Sequence, residues 1–522
     1  MRSFKKAIIL HYSKNTGFLK IFVLFSGKPL FSLLLCWLLL AGCTKTQKLE
    51  MVTEQQRLVE THCGSCHLAV EPSMLDKQTW KEHVLPAMAK KLGLGVWRGP
   101  SYYSKKESAI SVQDWQKIVA FYDSLAPAKL VEQRPAKPLQ SWAGFSLKKP
   151  LANLSGVATT TLVRYDPYKK LLYTSDAATS RLFQWQNNLT DYKITALPSP
   201  ATHMNLAKDQ DPVLTLIGQM KAVDLAAGSV QQLTSQPQSG LKEVAKGFVR
   251  PIETLRADFN KDGLEDYLVS SFGHETGGLY LLLQSEKKTF IRSAVREVPG
   301  ATQSIIRDFN GDGWLDIMSL FAHGDEGIWL FLNDKKGGFT QRNILRFPPV
   351  FGSSSFDYVD IDKDGVSEII YTSGDNSDYS KVLKPYHGLY IYSDRGDFKF
   401  EKSYFYPVNG STKALAADFD KDGLTDIALI SFFADLKNNP WETFLYFKQK
   451  KPDNHKLSFT PFAIPINEYG RWICMDVADY DSDGDQDIIL GNYAQGFLNQ
   501  LPFRPDFNKQ IPFVILVNGA GK

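Results

Sequence analysis

Cysteine is scarce in this 522-residue chain: there are five, and only Cys474 lies beyond residue 66. A disulfide framework is therefore excluded for the long C-terminal part, which must be held by its core, with bound metals as a candidate further support. Charge of one sign is lacking as well. Lys and Arg number 60 against 56 Asp and Glu, but residues 1–42 hold six of the bases and no acid. The remainder carries 54 bases against all 56 acids, a net of −2. Phosphate-binding surfaces need clustered Lys and Arg, so nucleic acid is not an expected partner. No apolar run reaches the ~20 residues that span a bilayer. Nor is there a glycine-rich nucleotide loop, a flavin motif or a serine triad. The length exceeds what one core accommodates, so two or more domains are expected.

The first segment reads as an export signal. A basic start leads to Pro29-Leu-Phe-Ser-Leu-Leu-Leu-Cys36-Trp-Leu-Leu-Leu-Ala-Gly-Cys43, an apolar stretch suited to a signal-peptide core. Leu40-Ala41-Gly42-Cys43 resembles the bacterial lipobox, which implies cleavage before Cys43 and lipidation of its thiol. Thr44 is not the Asp associated with inner-membrane retention, so the resemblance implies outer-membrane anchoring. Residues 1–42 are thus read as a lipoprotein signal peptide.

Cys63-Gly-Ser-Cys66-His67 follows at once. Two thiols one short turn apart suit addition to two vinyl groups, and the adjacent imidazole falls beneath the iron of a haem c. A zinc site would need a second Cys or His pair nearby, and a thioredoxin-type pair a βαβ setting; neither is present. Ser111-Val-Gln-Asp114 reads as a capping box. It opens a helix with Trp115, Ile118, Val119, Tyr122 and Leu125 on one face, stopped near Pro127. A first helix is read over Val52–Thr61. Residues 43–125 resemble a small all-α class I cytochrome c domain, which implies a Met as sixth haem ligand. Met74, Met88 and His83 are the candidates. Met74 is only seven residues beyond His67, whereas Met88 has the necessary length of chain and follows a proline, so Met88 is favoured. Residues 126–142 read as a stiff Pro-rich linker.

Beyond the linker an acidic motif recurs at intervals of 50, 52, 58 and 61 residues. Its oxygen-bearing positions 1, 3, 5 and 9 are Asp258, Asn260, Asp262 and Asp266, then Asp308, Asn310, Asp312 and Asp316. They return as Asp360, Asp362, Asp364 and Glu368, as Asp418, Asp420, Asp422 and Asp426, and as Asp479, Asp481, Asp483 and Asp487. Alternate oxygens with a turn-making Gly at position 6 suit a hard cation, about five Ca2+ in all. An EF-hand would need Glu at position 12, where Val269, Ser319, Tyr371, Leu429 and Leu490 stand instead. Each motif runs directly into a β-strand. The pattern resembles the FG-GAP/VCBS repeat and implies a calcium-binding β-propeller over residues 143–522. Fourth strands of the units are read at Phe290, Phe339, Phe398 and Phe459. The last unit lacks its fourth strand, and Gly144-Phe145-Ser-Leu-Lys-Lys-Pro-Leu151 has the missing pattern. Two further units, Val157–Pro198 and Thr202–Pro237, make an all-β seven-bladed ring closed by its N-terminal strand.

The resemblance further implies a binding face opposite the acidic loops. Arg250, His274, His323, Asp375, Lys384, His387, Asp435 and Arg471 fall there and are candidate catalytic or binding groups sharing one pocket. Cys474 reads as a small buried hydrophobe. Two functions follow. One is an exported, lipid-anchored electron carrier with a single covalent haem, whose propeller is a platform for a redox partner protein or a polymer. The other is an oxidoreductase in which the propeller face oxidises a small-molecule electron donor and passes electrons to the haem.

Overall fold

The computed structural model describes residues 53–97, 101–133, 135–151, 156–234, 240–377, 381–451, 456–496 and 503–520. The segment read as a signal peptide and Cys43 lie outside them. The chain divides into two compact units, 1–56 and 57–522. Of the first, only residues 53–56 are described, and they are helical. Among the described residues no helix is long and apolar enough to cross a membrane.

The second unit begins with a small helical region. Residues 57–62 are helical, followed by a short π-helical segment Trp80–Val84, the helix Leu85–Lys91 and the helix Val112–Leu125. The capping box forms: the Asp114 N–H donates to Ser111 Oγ at 3.0 Å, and Ser111 Oγ donates to the Asp114 carboxylate at 2.8 Å. The buried face of this helix is Trp115, Ile118, Phe121 and Tyr122. Leu125, expected on that face, is exposed, and Phe121 takes its place because the last turn leaves the core. Tyr122 OH donates to Val70 O at 2.7 Å and ties the helix to the loop after the C-x-x-C-H motif.

Seven antiparallel sheets follow, spanning 160–196, 201–248, 251–296, 301–346, 353–407, 411–463 and 472–517. Within each blade the second strand is enclosed on both faces by neighbouring blades. Asp266–Ser271, Asp316–Phe321, Asp426–Ser431 and Asp487–Asn492 are buried at every residue. The fourth strands lie at the rim, and Phe290–Arg296 is largely exposed. The chain therefore reads as apolar runs in mid-blade and as mixed polarity at the rim.

Two boundaries differ from expectation. The second blade's last strand is Leu241–Phe248, beyond the limit read at Pro237, because a longer connection precedes it. In the fifth blade Phe400 opens the outer strand, while Phe398 sits in the preceding turn at φ 53°. The linker also has structure. Leu139–Gln140 pairs in parallel with Phe459–Ala463, adding a fifth strand to the sixth blade.

The ring closes as the sequence pattern implies. Ser146–Lys148 pairs antiparallel with Phe513–Val517, with Leu147 opposite Leu516. Phe145 anchors the strand among Phe419, Tyr446, Trp472 and Leu516 in the core between the sixth and seventh blades. Its ring meets those of Phe419 and Tyr446 edge-on at 6.0 and 5.4 Å. Closure removes both free sheet edges, so this strand stabilises the ring as a whole. Phe145→Ala is expected to cost about 3–5 kcal/mol in urea unfolding of the propeller. A loss below about 1 kcal/mol would show that the ring closes without it.

Candidate haem cavity and propeller channel

Cys63, Cys66 and His67 border a cavity of about 310 Å³. Its wall is mainly apolar, with Val70, Trp80, Val84, Leu85, Leu92 and Trp115 among the lining residues. Both thiols are free, and burial pushes the Cys63 thiol up to about 11. His67 Nδ1 lies 3.0 Å from Leu68 O; a carbonyl only accepts, so Nδ1 is the donor and Nε2 keeps its lone pair. Two thiols, an imidazole with Nε2 available and a largely apolar slot fit a covalently held haem. Of the three candidate sixth ligands only Met88 lines the cavity. His83 is exposed on the Trp80–Val84 segment, and Met74 lies in a short 3-10 turn, where its carbonyl accepts from Tyr386 OH at 3.0 Å.

The propeller completes the cavity. His274, Glu275, Pro299, His323, Gly324, Pro349 and Val350, all from turns or blade connections on one face, form part of its wall. The Lys91 ammonium pairs with Glu275 at 2.6 Å across this contact. Asp224, from the second blade, accepts from the backbone N–H of Glu275 and Thr276 and so braces the turn that carries His274. The His274 and His323 rings are 5.9 Å apart. Gly300 stands beside them at φ 103°, and a side chain there would overlap the His323 backbone at 2.5 Å.

The same two histidines line a second space, the central channel, of about 990 Å³. Around it the innermost strands present His203, Glu253, Gln303, Ser355, Lys413 and Cys474, and the Arg164–Asp476 ion pair at 2.8 Å lies in the same wall. Burial pushes the Glu253 carboxyl up to about 8 and the His203 imidazole down to about 3. The Cys474 thiol is pushed up to about 12, also by burial, which suits a protonated and unreactive group.

The acidic loops sit at the other end of the same strands. Each joins the first strand of a blade to its second, whereas His274 and His323 follow the second strands. Position 6 has φ of 79–90° in all five, so glycine is required there. Three carboxylates gather within 4.8 Å in the loops of Asp360, Asp362 and Glu368, of Asp418, Asp420 and Asp426, and of Asp479, Asp481 and Asp483. Position 9 also has a clamping role. Asp266 accepts from Phe259 N–H and Gln284 N–H, and Asp487 from Tyr480 N–H and Asn518 N–H, joining loop to third strand. Lysines approach two loops: Lys448 pairs with Asp420, and Lys335 with Asp312 at 3.2 Å.

The eight candidate groups of the propeller face do not share one pocket. Arg250, His274, His323 and Asp375 border the channel. Lys384, His387 and Asp435 line a separate cavity of about 410 Å³ that Glu132 and Lys137 of the linker also border. Arg471 is buried; it donates to the carbonyls of Tyr493, Gln495 and Gly496 and lies over Phe432 at 4.1 Å. It is a structural clamp. The division arises because turn residues at one sequence register reach different depths when the turns differ in length. Arg164, His203 and Glu253 were missed, although their register in the repeats marks them: they lie on the innermost strand of each blade.

Residues 308–371 match the family model of FG-GAP-like repeats, and residues 59–94 match that of dihaem cytochrome c. The latter segment contains the chain's single C-x-x-C-H motif. No curated protein matches. Among solved structures, the chain is similar to an ancestral GH74 enzyme at 9% identity and TM-score 0.45, covering 72% of this chain and 51% of the other, about half its length. It is similar to a protein from Lactobacillus plantarum at 11% identity and TM-score 0.38, covering 60% of this chain and 87% of that one. A putative 6-phosphogluconolactonase from Bacteroides fragilis follows at 10% identity and TM-score 0.37, covering 58% and 84%. The chain is a seven-bladed β-propeller with FG-GAP-like repeats, preceded by a small helical cytochrome c segment.

Proposed function

We propose that this protein is an exported, lipid-anchored c-type cytochrome that transfers electrons through one covalently bound haem, with a calcium-stabilised propeller as its binding platform. The observation that carries the reading is the apolar cavity bordered by Cys63, Cys66, His67 and Met88. One C-x-x-C-H motif allows one haem attached in this way. A haem held there supplies a one-electron couple. The protein's own part is to hold it between the helix Leu85–Lys91 and the propeller turns and to keep water from its faces. The lipobox-like Leu40-Ala41-Gly42-Cys43 followed by Thr44 supports anchoring at the outer membrane.

A second reading, oxidation of a small molecule held in the propeller, is favoured by one observation. His274 and His323 line both the haem cavity and the central channel. A pure carrier has no need of a haem cavity walled by the channel's own side chains. The calcium assignment rests on carboxylates crowded within 4.8 Å, which repel one another unless a cation lies among them.

In the Cys63→Ala, Cys66→Ala double variant covalent haem is expected to be absent, read from the pyridine haemochrome spectrum of the exported protein. An unchanged spectrum would remove the cytochrome reading. In Met88→Ala the weak near-infrared band of a thioether–iron bond is expected to vanish while the haem stays attached; its persistence would exclude Met88 as ligand. Chelation of calcium is expected to lower the propeller Tm by several degrees, since each occupied site contributes about 2.7 kcal/mol at a hundredfold excess over Kd. Superimposable melting curves with and without chelator at low salt would show that the loops are not calcium sites.

A further inference from the structure

All seven blades bulge at one point. In each pairing of first and second strands the register shifts across the second residue of the inner strand. These shifts fall at Thr161, Thr202, Ile252, Thr302, Ser354, Thr412 and Ile473. A bulge adds twist and re-aims the next side chain. The residues after the bulges, Leu162, His203, Glu253, Gln303, Ser355, Lys413 and Cys474, all line the channel. Equivalent backbone positions thus form one ring, yet the blades fill them with different chemistry. Packing alone would be served by small apolar residues, whereas a lysine, a glutamate and a histidine around one enclosed space cost stability.

Lys413 Nζ donates to Met475 O at 3.1 Å, and no described carboxylate lies within ion-pair distance of it. The acids that feel its charge, Glu253 and Asp357, are both pushed towards their neutral forms by burial. Asp476 is engaged by Arg164, whose buried Nε has no hydrogen-bond partner. His203 Nδ1 accepts, weakly, from Thr254 N–H at 3.5 Å, which leaves Nε2 to carry the hydrogen in the neutral ring. The channel therefore offers Lys413 without a carboxylate at ion-pair distance, further positive charge from Arg250 and Lys221 in the same lining, donors and acceptors on several sides, and apolar wall from Met204, Ile252 and Phe432.

We propose that the channel is a binding site for a small hydroxylated organic monoanion, its charge on Lys413 and its hydroxyls on Glu253, Gln303, Ser355 and His203. The inference rests on the oxidoreductase reading, because such a ligand lies beside His274 and His323 and thus next to the haem cavity. The volume, about 990 Å³, accommodates a hydroxy- or phenol-carboxylate together with water.

The test uses the full haem-loaded ferric protein and two probes, protocatechuate and gluconate, in titration calorimetry, with uncharged catechol as comparator. Saturable binding of one probe per protein is expected, with catechol weaker by at least about tenfold. Lys413→Met is expected to weaken the probe by a similar factor and Lys413→Arg by less, both with an unchanged haem spectrum. The absorbance of the reduced haem is followed in the same samples. Binding that depends on Lys413, with haem reduction by protocatechuate, supports both the site and the oxidoreductase reading. Binding that depends on Lys413 without reduction keeps the site and overturns that reading. Absence of saturable binding of both probes at about 1 mM, or equal affinity in wild type and a folded Lys413→Met, overturns the site. If Lys413→Met fails to fold, equal affinity for protocatechuate and catechol in the wild type overturns it.

Discussion

The pairing of Ser146–Lys148 with Phe513–Val517 is the constraint on which the rest of the molecule depends. A propeller buries each blade against two neighbours, and a ring left open would expose two sheet faces and two edges. Here the last blade takes its outer strand from the beginning of the propeller, so the two ends of the propeller meet in one sheet. Phe145, just before that strand, is sunk among aromatic rings of the sixth and seventh blades, which sets the register from the core side. The residues before it inherit this anchoring. Leu139–Gln140 extends the sixth blade, and Tyr406 OH donates to Ala136 O at 3.1 Å. The helical region is thus tethered over one face of the ring, where Lys91 meets Glu275.

Antiparallel blades then divide the chemistry between two ends. The turn from first to second strand emerges on one face and carries the acidic loops; the turn from second to third emerges on the other and carries His274. The position-9 carboxylate joins the loop to the third strand by two backbone hydrogen bonds in Asp266 and Asp487. The acidic loops and the candidate haem cavity are kept apart by the length of a strand. The loops bear on stability, and the opposite turns bear on the cavity wall.

Between those faces runs the channel, whose character comes from the bulges. Had the inner strands paired regularly, alternation would place successive residues on opposite faces of each blade. The extra residue breaks that alternation at the same depth in every blade and brings Glu253, Lys413 and His203 to one enclosed space. Burial then pushes Glu253 towards its protonated form and His203 towards the neutral imidazole, while Glu253 accepts from Ser304 N–H at 2.7 Å.

Much of this was legible without a fold. The C-x-x-C-H spacing is local chemistry that needs only one turn of chain, and five repeated Asp loops with glycine at position 6 encode their own conformation. Ring closure was readable too, because the missing strand at one end and the orphan Gly144-Phe145 pattern at the other are both short-range features. The grouping of side chains on the propeller face was not. Arg471 sits at a suggestive register yet spends its guanidinium on three backbone carbonyls, and His387 turns into a different cavity from His274. Those outcomes depend on turn lengths and bulge positions summed over seven blades. The sequence by itself determined the motifs, the repeat and the ring, since these follow from spacing and periodicity; only the tertiary structure decided which distant groups face one another, since that is set by packing depth.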